Sequence, residues 1–321
     1  MVPVDRAVLQ GGARPSAAAG LPLIGAQIST AGGFAPVPER ALAIGAEVVQ
    51  IFDSNPRTWR PRTFRPGEIT ALTEGLRRHR IPLFFHTIYL INLAAPDERL
   101  RQRSVEALAR ALVLGSLTEA AGVVTHIGSH SGEGFTAAAG WVIEAVRAAL
   151  DQANRELEAS GPGRALPGLL LETGAGSGRT VGGRLEELAA LLGSLPAECG
   201  LCLDTAHLFA AGYAVHTGSG LDDLLQELED RRLLETVGLV HLNDSRAPFG
   251  SNRDRHENPG GGHIGHAGLA GVVRHPALAA VPFALEVPGR DGHGPDAANV
   301  TLVKLMREAA ADQREMPPPA A

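Results

Sequence analysis

Eight times along this chain a short apolar run, bounded by turn-forming residues, gives way to a stretch with the spacing of an amphipathic helix, and no other feature restricts the fold as much. The runs predict strands over Leu23–Ser29, Glu47–Asp53, Pro82–Ile88, Gly122–Gly128, Gly168–Thr173, Gly200–Thr205, Val237–Leu242 and Pro282–Val287. Between them lie stretches of helical spacing such as Glu98–Ala121, Ala137–Ala159, Leu185–Leu192, Leu221–Leu234 and Leu269–Leu278, with a closing helix near Ala297–Ala311. Strands that are apolar throughout are covered on both faces, as in parallel sheets. Eight strand–helix units in 321 residues therefore predict an α/β fold, a single (β/α)8 TIM barrel ringed by its helices. An open doubly wound sheet is the runner-up. The glycines of Gly174–Gly178 follow the fifth strand and fit neither a dinucleotide nor a phosphate-loop spacing, so no nucleotide cofactor is expected.

The barrel is expected to occupy residues 21–312, after a flexible leader over 1–20 and before a disordered tail over 313–321 that holds Pro317-Pro318-Pro319. No apolar run approaches the roughly 20 residues of a membrane span. The N-terminus, with Asp5, Arg6 and Arg14, lacks the apolar centre of a secretory signal. Cys199 and Cys202 have C-x-x-C spacing, but a strand starting near Gly200 turns them to opposite faces. They read as buried thiols of a protein in a reducing cytoplasm.

The ends of the strands carry the chemistry. The third ends on His86, the fourth on His126 and the fifth on Glu172. The sixth ends on Asp204 with His207 three residues on, the seventh on His241 followed by a loop bearing Asp254 and His256, and the eighth on Glu286. Barrel sites are built at this C-terminal rim, so these side chains should converge. Taken singly, each has a plain structural explanation: a hydrogen-bonded strand end, a solvated loop, or, for Asp204 and His207, a helix cap. Together they do not, because several buried carboxylates in one pocket repel one another unless cations are present. Histidine with carboxylate suits zinc or a similar metal. Four acids and five histidines exceed the needs of one tetrahedral ion and suit a cluster with bridging carboxylates. His79, His130, His216, His263, His266, His275 and His293 lie off the strand ends and read as loop or surface residues, with His130 and His263 the candidates for a supporting role.

The formal charge of −6 argues against binding nucleic acid through overall charge. Arg57, Arg60, Arg62 and Arg65 nevertheless fall in one segment, NPRTWRPRTFRP, without an acidic residue, which predicts a local positive patch.

The segments NPRTW from Asn55, HTIYLINLA from His86, THIGS from Thr125, LLETGAGSG, CLDTAHLFAAGY from Cys202, HLNDSR from His241, DRHENPGGGHIG from Asp254 and FALEVP resemble, in order, those of the endonuclease IV family of apurinic/apyrimidinic endonucleases. The resemblance implies three zinc ions, with manganese or iron able to share some positions. His86, His126 and Glu172 would hold one; Glu172, Asp204, His241 and Glu286 a second; His207, Asp254 and His256 the third. Three divalent ions would bring the formal charge to zero.

The resemblance further implies incision of duplex DNA on the 5′ side of an abasic site by in-line attack of a zinc-activated hydroxide. Glu172 and Glu286 would act as catalytic residues, leaving a 3′-hydroxyl and a 5′-deoxyribose phosphate, with 3′-end trimming as a second activity. Arg57, Tyr89 and Leu90 would enter the DNA at the lesion. Departures from the family pattern are Gln27 where histidine is usual, Ile127 for proline, Ser177 for glutamine and Ala214 for aspartate; none removes a metal ligand. Competing readings are a metal-dependent sugar isomerase or epimerase on the same barrel, an ultraviolet-damage endonuclease, and a non-enzymatic binder of abasic DNA. A monomer is expected.

Overall fold

The computed structural model describes residues 20–161 and 163–309; the expected leader, apart from Gly20, and the expected tail lie outside them. In chain order the elements are β1 (Ile24–Gln27), α1 (Val37–Ala43), β2 (Val49–Phe52), α2 (Glu68–Arg78), β3 (Leu83–His86), α3 (Glu98–Leu117), β4 (Gly122–Thr125) and α4 (Phe135–Ser160). They continue with β5 (Gly168–Glu172), α5 (Leu185–Leu192), β6 (Cys199–Asp204), α6 (Thr205–Ala211), α7 (Gly218–Asp230), β7 (Val237–His241), β8 (Asp244–Ser245), β9 (His256–Glu257), α8 (Gly265–Arg274), β10 (Phe283–Leu285) and α9 (Ala297–Glu308). Eight strands close a barrel in the order β1-β10-β7-β6-β5-β4-β3-β2, with every pair parallel. Closure excludes the open sheet. All eight expected strands are present, each shorter or displaced by a residue or more at its ends.

Alternation along the strands sorts their side chains into two environments. Val48, Phe84, Val124, Leu170, Cys202, Leu239 and Ala284 form one buried cluster, with Leu23 packed against it. They come from eight different strands, or the residue beside one, and such residues can meet only through the barrel interior. The alternate positions, among them Ile24, Ile51, Phe85, Val123, Leu169, Leu201, Val240 and Phe283, belong to the larger core under the helices. Cys199 lies in that outer core and Cys202 in the inner layer; both are buried free thiols. Burial pushes the Cys199 thiol up to about 12.

Side-chain caps define where several helices begin. Asp97 accepts the Arg99 amide at the start of α3, and Asp296 and Asn299 form a reciprocal capping box at α9. At the far end of α9, Arg307 donates to Glu47 Oε2 at 2.6 Å and to the Pro22 carbonyl at 2.8 Å, tying the last helix across the first strand. Among the described residues no helix is long and apolar enough to cross a membrane.

The segment after β7, expected to be a turn and a loop, contains a two-stranded antiparallel ribbon: β8 pairs with β9 through Asp244–Glu257 and Ser245–His256. Beneath it lies the fully buried carboxylate of Asp244. It accepts backbone N–H groups from Ser245, Gly260, Gly262, Ile264 and Gly265 at 2.8–3.2 Å, which folds the glycine cluster back over the strand end.

Candidate metal centre

Two residues beyond the inner apolar layer, the period of the strand returns the chain to the interior, now at the C-terminal rim. There β2 supplies Gln50, β3 His86, β4 His126 just past its end, β5 Glu172, β6 Asp204, β7 His241 and β10 Glu286 just past its end. The expected ligands fall into three groups whose donor atoms lie within 4.8 Å of one another: His86, His126 and Glu172; Glu172, Asp204, His241 and Glu286; and Asp204, His207 and His256. Asp254 reaches the third group from its loop, 3.2 Å from His207 Nε2 and 3.1 Å from His256 Nε2. All nine side chains expected at the rim are therefore brought together. Asp204 also caps α6, its Oδ1 accepting the His207 amide at 2.8 Å, so the cap reading of that residue holds and is compatible with its place in the ligand groups.

Four of the histidines have their outward nitrogen engaged. The Nδ1–H of His86 donates to the Thr87 carbonyl at 2.7 Å, that of His207 to the Thr173 carbonyl at 2.8 Å and that of His256 to the Glu286 carbonyl at 3.0 Å. A carbonyl only accepts, so a proton sits on Nδ1, and Nε2 is the nitrogen turned toward the centre, where it can carry either a second proton or a metal ion. His241 is reversed: Nε2 faces Gln50 Oε1 at 2.9 Å, and Nδ1 lies 3.2 Å from Glu172 Oε1 and 3.3 Å from Glu286 Oε2.

Glu172 has two separate sets of neighbours. Its Oε2 is 3.1 Å from His86 Nε2 and 3.6 Å from His126 Nδ1, while Oε1 faces His207 Nδ1 at 3.3 Å and His241 Nδ1 at 3.2 Å. One carboxylate thus joins two ligand groups. Burial pushes its carboxyl up, but the surrounding His126, His241 and His207 hold it well below the usual range. Burial likewise lowers the affinity of His86 for a proton, yet Glu172 outweighs this and raises it to about 9. His256 is raised to about 10 against the same penalty, by Asp204 and Asp254.

Four carboxylates at this rim require positive charge beside them, and divalent cations can replace the protons these histidines otherwise carry. The Nε2 atoms of His207 and His256 are buried, and although Asp254 lies 3.2 and 3.1 Å away, no neighbour is aligned to form a hydrogen bond with either. Such atoms are what a metal ligand leaves when the ion is set aside, and the donor set fits zinc.

A second ring of residues holds the ligands. Asn243 donates to Asp204 Oδ2 at 2.7 Å and accepts the Glu286 amide at 2.8 Å, joining β6 to β10 across β7. Thr173 Oγ1 accepts the Asp204 amide at 2.8 Å. Sequence reading did not single out Asn243, Thr173 or Gln50. For Gln50 a signal was present, an amide inside the run Val48-Val49-Gln50-Ile51. His263 is exposed. Half-buried His130 accepts the Gly132 and Gly134 amides, so it shapes its own turn.

At the edge of the rim, Tyr89 is 55% exposed, with its ring 5.1 Å from that of Phe52 and 5.9 Å from His86. Leu90 is half-buried against the core. The Tyr89 amide donates to the Pro56 carbonyl at 3.0 Å, bringing this loop beside exposed Arg57. The expected patch of four arginines is divided. Arg62 stacks over Phe34 and pairs with Glu68 at 3.2 Å, and Arg65 donates to the Gly32 carbonyl at 2.7 Å. On the opposite side of the centre, a pocket of about 490 Å³ is lined by Arg246, Arg253, Asp254 and Arg255.

The family model described as a xylose isomerase-like TIM barrel matches residues 38–309. A probable endonuclease 4 of Methanosphaerula palustris is 42% identical over 289 residues, covering 88% of this chain and 97% of that relative. The crystal structure of endonuclease IV from Thermus thermophilus matches with a TM-score of 0.78 at 36% identity, covering 90% of this chain and all of that one. A D-tagatose 3-epimerase-like protein matches with a TM-score of 0.67 at 16% identity, over 91% of this chain and 99% of that one, which is a likeness of fold alone.

Proposed function

The chain belongs to the endonuclease IV family, and from that premise we propose that it is a DNA-repair endonuclease that hydrolyses the phosphodiester 5′ to abasic sites in duplex DNA with three zinc ions. His86, His126 and Glu172 would hold the first ion, Glu172, Asp204, His241 and Glu286 the second, and His207, Asp254 and His256 the third. When bound, the ions supply Lewis acidity, lowering the pKa of a coordinated water and neutralising charge that builds on the phosphate.

The chain's own groups do the rest. Glu172 fixes the spacing of the first two ligand groups. Glu172 and Glu286 orient the attacking water by accepting its hydrogens at their carboxylate oxygens. Arg57, Tyr89 and Leu90 enter the duplex at the lesion, where a nucleotide without a base has least stacking to lose when it is turned out. The observation that carries the reading is the Glu172 carboxylate, whose two oxygens face different ligand sets, with Asp254 completing a third set from the loop after β8. A sugar epimerase has no need of that third set, and the likeness to one is confined to the fold.

The test is incision of a duplex carrying one tetrahydrofuran abasic analogue by protein of measured zinc content. The wild type should cut 5′ to the lesion. Glu172→Ala should lose several kcal/mol of transition-state stabilisation, a rate fall of roughly 10³-fold or more. Zinc-loaded wild type that leaves the duplex intact would overturn the reading.

A further inference from the structure

Each of the four histidines with an engaged outward nitrogen faces the rim with the other, but they are not held alike. Backbone carbonyls set His86, His207 and His256, whereas His241 depends on one side chain, Gln50. Gln50 is fully buried, and it is the residue that β2 contributes at the level where β3, β5, β6 and β7 contribute ligands. Its neighbour β1 offers no side chain at the corresponding Gly25, where a Cβ would collide with the Val48 carbonyl.

The amide of Gln50 is fully used, and in one sense only. Its Nε2 donates to Glu286 Oε1 at 2.7 Å and to Gln27 Oε1 at 2.8 Å, which takes both of its hydrogens. Its Oε1 therefore faces His241 Nε2 and must accept from it. Turning the amide over would set an N–H₂ against an N–H and an oxygen against a carboxylate, so the network defines its own polarity. Gln27, the departure from histidine in the family pattern, is the acceptor that completes it.

We propose that Gln50 is the positioning residue of the second metal site: it keeps the proton of His241 on Nε2, so that Nδ1 is the ligating nitrogen. It also holds one oxygen of Glu286, so that the other faces the same ion. The proposal rests on the metal-centre reading above. Partners of metal ligands typically contribute about 10–100-fold in metal affinity, and here one amide supports two ligands of one site.

The test uses the full chain loaded with zinc, comparing wild type, Gln50→Leu and Gln50→Glu. Competition with a chromophoric chelator reads the affinity of each ion, and proton NMR reads the imidazole N–H resonances. In Gln50→Leu one of the bound ions should be held about 10–100-fold more weakly while the others are unchanged. A downfield N–H resonance should move upfield, and kcat should fall with KM for the abasic duplex unaltered. Gln50→Glu keeps an acceptor for His241 but removes the donor to Glu286, so the downfield resonance should persist while kcat is still reduced.

Wild-type zinc affinities and an unmoved resonance in Gln50→Leu would overturn the proposal and leave the metal centre standing. Should Gln50→Leu not fold, a wild-type kcat in Gln50→Glu would overturn it instead. Wild type that binds no zinc would sink the metal-centre reading, and the proposal with it.

Discussion

Arg62 lies with its guanidinium 4.2 Å from the centroid of the Phe34 ring, close to a carboxylate, Glu68, that also accepts the Phe34 amide at 2.7 Å and the Arg65 amide at 3.0 Å. Burial raises the Glu68 carboxyl, but those amides and Arg62 outweigh it and leave the group below its ordinary range. Arg62 is thus half-buried in an ion pair with the buried Glu68, while Arg57, in the same run of arginines, is exposed. Their variants should part company. Arg57→Ala should lower the slope of log affinity for abasic duplex against log salt by about one ion, as for a lost phosphate contact. Arg62→Ala should leave that slope alone and cost about 1–3 kcal/mol of stability by stranding Glu68. Salt titrations by fluorescence anisotropy, beside urea melts, distinguish the two, and an equal loss of slope in both would mean that Arg62 leaves Phe34 to reach DNA. Nothing within NPRTWRPRTFRP separates these arginines, because Glu68 lies just beyond it and Phe34 comes from the loop after β1, which reaches Arg62 through the pairing of β1 with β2.

The ligand loop after β7 is held less by pairing than by one carboxylate. Strands β8 and β9 have two residues each, and Asp244 beneath them collects the amides of Gly260, Gly262, Ile264 and Gly265. Gly262 is packed so closely that a Cβ there would meet the Ser245 carbonyl and, at 2.5 Å, Asp244 Oδ1. Asp244→Ala strands those amides, each worth about 1.5–3 kcal/mol when bonded to a charge, so the loop should open without the barrel. Hydrogen exchange should lose protection over residues 256–265 while β3 to β7 keep theirs. Equal loss in the barrel strands would show that the loop is part of the global folding unit.

This ribbon was not legible in the sequence, since two-residue strands are too short to show alternation. The eight barrel strands were legible because burial on both faces makes them apolar throughout. Their ends pointed to the clustered rim residues because His86, Glu172, Asp204 and His241 break those apolar runs at the same place. Gln50 breaks its run too, but an amide inside a strand suggests no chemistry until its partners, 191 and 236 residues away, are beside it.

Across the whole molecule, the charge at the rim couples metal binding to stability and to pH. In the metal-free protein the carboxylates are balanced by protonated histidines, and His86 and His256 are raised from 6.5 to about 9 and about 10. A group that binds its proton more tightly when folded contributes its full stabilisation below the unfolded pKa and loses it as pH rises through the folded one. The contribution of these two histidines is therefore complete below about pH 6.5 and gone above about 10. Glu172 and Asp254 are held below the carboxylate range, against burial, by neighbouring histidines; their contribution runs the other way, present above their ordinary pKa and lost in acid.

The zinc-free protein should accordingly melt lower at pH 10 than at pH 7, by on the order of 3 kcal/mol or roughly 5–10 °C. Zinc-loaded protein, whose ligands bind metal instead of protons, should lose much less over the same interval. Calorimetry of chelator-treated and zinc-loaded samples across that range reads both. A zinc-free melting temperature that stays level from pH 7 to 10 would mean that the histidines do not balance these carboxylates, and that some other group neutralises the rim.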